Sequence, residues 1–139
     1  GSQAPGIGPY GAVVTPDGKE LWIANKGETA GMFGRTITVI DAETGELNDT
    51  IPSAYQVDHL VLSPTGKEIW ATSNGEGEIW VFDWKTHENI KQIEMPKHGG
   101  AHGLVFVHYD ENGESKTVTD QGGHHMGVNP YKKDKTLNF

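Results

Sequence analysis

The sequence predicts an all-β chain, a β-propeller segment of about three four-stranded antiparallel blades belonging to a larger ring of about seven. Three observations predict it. A twelve-residue stretch recurs at constant spacing, glycine-centred turns separate short β-rich runs, and no segment sustains a helical period.

The recurrence is clearest between Val13-Val14-Thr15-Pro16-Asp17-Gly18-Lys19-Glu20-Leu21-Trp22-Ile23-Ala24 and Val61-Leu62-Ser63-Pro64-Thr65-Gly66-Lys67-Glu68-Ile69-Trp70-Ala71-Thr72, 48 residues apart. A second block, Thr36-Ile37-Thr38-Val39-Ile40-Asp41, returns 42 residues later as the run ending at Asp83. The difference, 48 − 42, leaves six extra residues in the first copy, and they fall in the flexible stretch Gly27 to Arg35, which reads as a projecting loop. A third copy begins at His102-Gly103-Leu104-Val105-Phe106-Val107, 43 residues after His59. Beyond it the pattern weakens, with only two clear strands.

Each copy reads as strand, Pro-x-Gly turn, strand, loop, strand ending in Asp, turn, strand. Asp17-Gly18, Thr44-Gly45, Thr65-Gly66 and Asn112-Gly113 supply the glycines that tight hairpins need. The expected organisation is a tag remnant, Gly1-Ser2, and linker over 1–8, a first blade over 9–55 and a second over 56–99. An irregular third blade follows over 100–139. His125 to Pro130 resembles His59 to Pro64, as though a further blade begins there. Three units do not close a ring, because propellers use about four to eight blades. The expected partners are therefore the remainder of the propeller, a protein partner or further copies of the chain.

Composition narrows the function classes. A net charge of −8 and a pI near 5.2 speak against a duplex-DNA partner, whose phosphates require clustered Lys and Arg. The one basic run, Lys132-Lys133-Asp134-Lys135, reads as a solvated turn. Without cysteine there is no disulfide, no covalent c-type haem attachment and no thiolate metal site. No apolar run approaches the roughly 18 residues of a membrane-spanning helix, so a soluble chain is expected.

The motifs Pro16-Asp17-Gly18-Lys19, Leu21-Trp22-Ile23-Ala24-Asn25 and Val39-Ile40-Asp41-Ala42-Glu43-Thr44-Gly45-Glu46 resemble those of the Tyr-Val-Thr-Asn (YVTN) repeat propellers. So do Pro64-Thr65-Gly66-Lys67, Ile69-Trp70-Ala71-Thr72-Ser73-Asn74 and Val81-Phe82-Asp83-Trp84-Lys85-Thr86. The resemblance covers about residues 9 to 95. It extends to the propeller that carries haem d1 in cytochrome cd1 nitrite reductase and, more distantly, to the copper propeller of nitrous oxide reductase. It implies a periplasmic or extracellular location, but transfers no ligand and no activity.

Five of the seven histidines, His98, His102, His108, His124 and His125, lie in the last third of the chain. His59 and His102 occupy equivalent repeat positions, at the expected start of the innermost strand of neighbouring blades. Two imidazoles could thus face one ligand near the channel. Imidazole suits copper, zinc or haem iron, which makes His59, His102, His124 and His125 a candidate metal set, with haem or copper the candidate cofactor. The competing reading is a set of loop histidines bonded to backbone carbonyls. No recognised metal spacing occurs, and adjacent histidines in a strand point to opposite faces.

Other side chains read as structural. Trp22, Trp70 and Trp80 are expected in the packing between blades, and Trp84 at the surface. Asp41 and Asp83 are expected to accept from turn amides. Asp110-Glu111-Asn112-Gly113-Glu114 reads as a polar hairpin tip, since it lacks the spacing of a calcium loop. There is no nucleophile elbow, and no carboxylate pair is marked by its spacing. Two functions follow. One is a non-catalytic binding or scaffold module that presents loops to a protein or small ligand. The alternative is the cofactor-bearing part of a periplasmic redox protein, with histidine ligands to haem or copper.

Overall fold

A computed structural model describes residues 8–28 and 31–120, with the backbone alone of 123 and 124. The expectations for 1–7, for His125 to Pro130 and for the Lys132 to Lys135 turn lie outside the described residues. No helix among the described residues is long and apolar enough to cross a membrane.

Among the described residues the chain is all-β and forms three antiparallel sheets. The first holds β1 (Pro9–Val14), β2 (Glu20–Asn25), β3 (Thr36–Asp41) and β4 (Leu47–Pro52), in that order. The second repeats it with β5 (Val57–Leu62), β6 (Glu68–Ser73), β7 (Glu78–Asp83) and β8 (Glu88–Glu94). Registers repeat as well. Glu20 opposes Asp41 as Glu68 opposes Asp83, and Pro9 opposes Asn25 as Val57 opposes Ser73. The third sheet holds β9 (Phe106–Tyr109), β10 (Ser115–Asp120) and β11 (Gly123–His124), with β10 in the centre.

Burial follows position in the sheet. Five of the six residues of β5 are buried, as a strand covered on both faces requires, whereas β8 is exposed along nearly its whole length and carries Glu88, Lys91 and Glu94. Charged side chains on such an edge discourage strand addition. β1 and β2 pack against β5, so the inner strands of the first two sheets meet. The core between them contains Trp22, Ile37, Val39, Val57, Leu60, Ile69 and Phe82.

The repeat-equivalent tryptophans do the packing expected of them. Trp22 stands edge-on to Phe82 of the second sheet at 6.0 Å, and Trp70 to Phe106 of the third at 5.2 Å. Each indole also donates to a carboxylate two residues earlier on the same strand face. Glu20 accepts from Trp22 at 3.2 Å, Glu68 from Trp70 at 2.9 Å, and Glu78 from Trp80 at 2.6 Å. Trp84 departs from expectation. It is buried, and its indole donates to the Gly66 carbonyl at 2.8 Å, so the residue after the strand-ending aspartate folds back onto the neighbouring turn.

The strand-end aspartates behave as read. Asp41 Oδ1 accepts from the amides of Glu43 and Thr44, and these bonds hold its carboxyl below the usual range. Asp83 accepts likewise from Lys85 and Thr86, and Asp110 from Asn112 and Glu114 at the tip of the β9–β10 hairpin. The first such turn ends in Gly45 at φ 77°, but the second places His87 at the equivalent position with φ 60°. A β-carbon in this left-handed region is disfavoured, so its retention calls for compensating contacts.

Those contacts reach the neighbouring blade. His87 Nδ1 lies 2.8 Å from Asp49 Oδ2, its Nε2 lies 3.1 Å from Glu20 Oε2, and the ring stands edge-on to Trp22 at 5.3 Å. Burial alone would lower the His87 pKa. The hydrogen bonds and negative charges of Asp49 and Glu20 outweigh it and raise the pKa above the ordinary value.

Candidate functional site

β1 and β5 each break register at the same place, between Pro9 and Ala12 and between Val57 and Leu60. A bulge lets two consecutive side chains depart from strict alternation. It releases Tyr10 and Gly11 in the first sheet, and Asp58 and His59, 48 residues later, in the second. Applying the spacing of 43 gives Ala101 and His102 as the third pair. Tyr10, Gly11, Asp58, His59 and His102 meet at one point.

His59 and His102 are brought together as the repeat implied, with ring centroids 4.7 Å apart. The route to His102 differs from the one expected. Residues 101–105 form no strand and β9 begins only at Phe106, so His102 sits on an irregular segment rather than at the start of an inner strand. Backbone bonds fix that segment against β6. The Ala101 amide donates to the Ser73 carbonyl at 3.0 Å, and the Thr72 hydroxyl donates to the His102 carbonyl at 2.6 Å. Thr72 Oγ1 also accepts from the His59 amide at 3.1 Å, so one buried hydroxyl anchors the backbone of both histidines. The third sheet pairs Thr119 with His124 in backbone register, and His125 lies outside the described residues.

Asp58 is the centre of the group. Its side chain is fully buried, which is rare for a carboxylate. Oδ2 lies 2.5 Å from His102 Nδ1 and 3.6 Å from Lys26 Nζ. Oδ1 has no hydrogen-bond partner among the described residues and lies 3.9 Å from His59 Nε2. Lys26 directly follows β2, ahead of the loop that lengthens the first repeat. It pairs with Glu28 at 2.9 Å and lies 4.3 Å above the Tyr10 ring. Its burial would lower its pKa, but Glu28 and Asp58 more than compensate, and the ammonium stays charged.

His59 is pushed the other way. Burial lowers its pKa most; Asp58 offsets part of this, and His102 and Lys26 add to it. The ring stands edge-on to Tyr10 at 5.0 Å. Access differs between the two histidines, because the His59 side chain is 16 % exposed and that of His102 55 %. Gly11 permits the approach of β1. A β-carbon there would stand 2.5 Å from the Asp58 carbonyl oxygen and 2.8 Å from His59 Cα.

Sequence reasoning identified two of these residues and missed Tyr10, Lys26, Asp58 and Thr72. One signal was available for Asp58. It is an acidic residue beside a histidine within an otherwise apolar strand, where a solvated turn is not an option. The chemistry of the set is that of a carboxylate orienting one imidazole by hydrogen bond while its other oxygen faces a second.

No family model matches the chain, and no curated protein does. Solved structures similar to it are β-propeller proteins. The hydrazine synthase of Kuenenia stuttgartiensis superposes with a TM-score of 0.59 at 20% identity, covering 85% of this chain and 31% of that one. The WD40 repeats of RRP9 give 0.55 at 18% identity, over 76% and 33%. The dihydro-heme d1 dehydrogenase NirN, in complex with DHE, gives 0.53 at 14% identity, over 80% and 23%. At these identities the likeness shows the fold alone: a propeller segment that spans a third or less of each of these three chains.

Proposed function

We propose that this segment is a non-catalytic binding module built from YVTN-type repeats, completed by the remaining blades of its propeller, and that it holds a small ligand where Asp58, His59 and His102 converge. One observation carries the reading. A fully buried carboxylate keeps one oxygen without a partner, beside a half-buried imidazole and a more exposed one. An unsatisfied buried carboxylate oxygen costs about 1–3 kcal/mol or more, a cost that folding alone gives no reason to retain. A ligand that reaches Oδ1 supplies the reason.

The second reading, the cofactor-bearing part of a periplasmic redox protein, draws on the His102–Asp58 bond. With Nδ1 engaged, Nε2 on the far side of a more than half-exposed ring is left as a donor, and a carboxylate partner of this kind raises the basicity of an imidazole ligand. A periplasmic or extracellular setting goes with the YVTN resemblance. Native mass spectrometry and visible absorption of the complete protein separate the two readings. A colourless protein with a small non-covalent adduct, lost in the double variant His59→Ala/His102→Ala, is the expected result. A haem absorption band that disappears in His102→Ala assigns the second reading instead. Neither adduct nor colour overturns both and leaves a scaffold.

A further inference from the structure

We infer that Asp58, His59 and His102 form a binding site for a divalent transition-metal ion, with Asp58 Oδ1 and His59 Nε2 as its fixed donors and His102 as its movable one. The inference rests on the reading above that this cluster binds a ligand, and it names the ligand's class.

The donor atoms of the three side chains all lie within 4.8 Å of one another. Two donors on a tetrahedral zinc ion, each about 2.0–2.1 Å from it, stand about 3.4 Å apart, so Oδ1 and Nε2 at 3.9 Å need close by only about 0.5 Å. The two carboxylate oxygens of Asp58 divide the work. Oδ2 is held by Lys26 and His102, whereas Oδ1 is buried, has no hydrogen-bond partner among the described residues and lies 3.9 Å from His59 Nε2. When His102 turns from Oδ2 toward the ion, Lys26 remains to hold that oxygen. His102, the most exposed member, is the one with room to turn. Two imidazoles and one carboxylate select zinc, copper or nickel over calcium and magnesium, which want oxygen ligands. Three protein ligands leave a position open for a further group, as in sites that exchange a ligand.

A second histidine–carboxylate group, His87 with Glu20 and Asp49, has both ring nitrogens already bonded and offers no free donor, and the His98–Glu94 pair is exposed. The polar tip at Asp110 spends its carboxylate on turn amides.

The test is a competition titration of the chelator-treated full chain with Zn²⁺ against a chromophoric chelator, beside the visible spectrum of the Co²⁺ form. One tight site is expected. His59→Gln, His102→Gln and Asp58→Asn each weaken it by at least about tenfold. The double variant His124→Ala/His125→Ala leaves it intact. Lys26→Met strengthens it by about three- to tenfold, because an ammonium beside Asp58 opposes a second cation. An anionic ligand at the same cluster would lose affinity in Lys26→Met, so this variant separates the two chemistries. Should a substitution unfold the chain, the ¹⁵N ring resonances of His59 and His102 in the unsubstituted protein decide the matter: both shift on adding Zn²⁺. No stoichiometric Zn²⁺ or Co²⁺ uptake, unmoved rings, or a site lost only with His124 and His125 overturns the inference. If a small adduct still occupies the cluster in that event, the binding reading stands without the metal; if none does, both fall.

Discussion

His87 and His102 each engage a carboxylate through Nδ1, Asp49 at 2.8 Å and Asp58 at 2.5 Å, yet they belong to two different kinds of cluster. Around His87 there are two carboxylates for one imidazole, and every polar atom of the ring is used. Around Asp58 there is one carboxylate for two imidazoles, a neighbouring lysine and an oxygen left over. The first arrangement is complete and ties the second blade to the first through Glu20, Asp49 and Trp22. The second is incomplete in the way a ligand would complete it. Counting partners per polar atom separates structural histidines from binding ones here, where counting histidines does not.

Four substitutions bear on this contrast. Trp22→Ala removes the fully buried platform beneath the His87 ring and opens the core between the first two sheets. It should cost about 3–5 kcal/mol in urea unfolding. Gly11→Ala strikes the other cluster. Its new methyl group has to push β1 away from the backbone of Asp58 and His59, for a loss of about 1–3 kcal/mol and a weakened zinc site in the same titration.

His87→Gly restores the residue that the first repeat has at this turn and removes its left-handed strain along with the clasp. The net loss should be about 1 kcal/mol. Its signature is the pH dependence. The folded pKa of His87 is raised, so its stabilisation is full below the unfolded value of about 6.5 and fades as pH rises through the folded one. Glu20 and Asp49 are the charged groups facing the ring from β2 and β4. Unfolding free energies of wild type and His87→Gly should therefore differ most on the acid side and converge in mild alkali. A gap that widens with pH would show that the clasp does not depend on the imidazolium. His102→Ala should have the smallest effect on folding, about 1 kcal/mol or less by thermal melting, because loss of its half-exposed ring lets water reach Asp58 Oδ2, which Lys26 still faces, while metal uptake weakens by at least about tenfold. A large loss of stability there would place His102 with His87 and erase the contrast.

The architecture was readable because repetition writes each blade more than once. Val13 to Ala24 and Val61 to Thr72 predict each other, and their registers agree pair by pair. The turn aspartates were readable for a local reason, since Asp41 reaches amides only two and three residues away. The His87 clasp was not readable, because Glu20 and Asp49 are 67 and 38 residues distant and come near only when two blades pack. A histidine standing where the first repeat has Gly45 was its one trace. His59 and His102 could be paired from their repeat positions, but Asp58 could not. Strict alternation separates neighbouring residues onto opposite faces, and only the bulge brings Asp58 and His59 to a common centre. Trp84 was misplaced for a related reason: the fold of the turn carries its ring back to Gly66, against the bias of its position.

The bulge has one further consequence. Because it recurs at the same address in the first two units, each submits its own pair of residues to a common meeting point, Tyr10 with Gly11 and Asp58 with His59, and the irregular segment that opens the third unit brings His102 to the same place. The core tryptophans and the turn aspartates lie at other addresses. Chemistry at the meeting point can therefore be rewritten one blade at a time, by exchanging the two letters each unit contributes, while the grammar that stacks the blades is left unchanged.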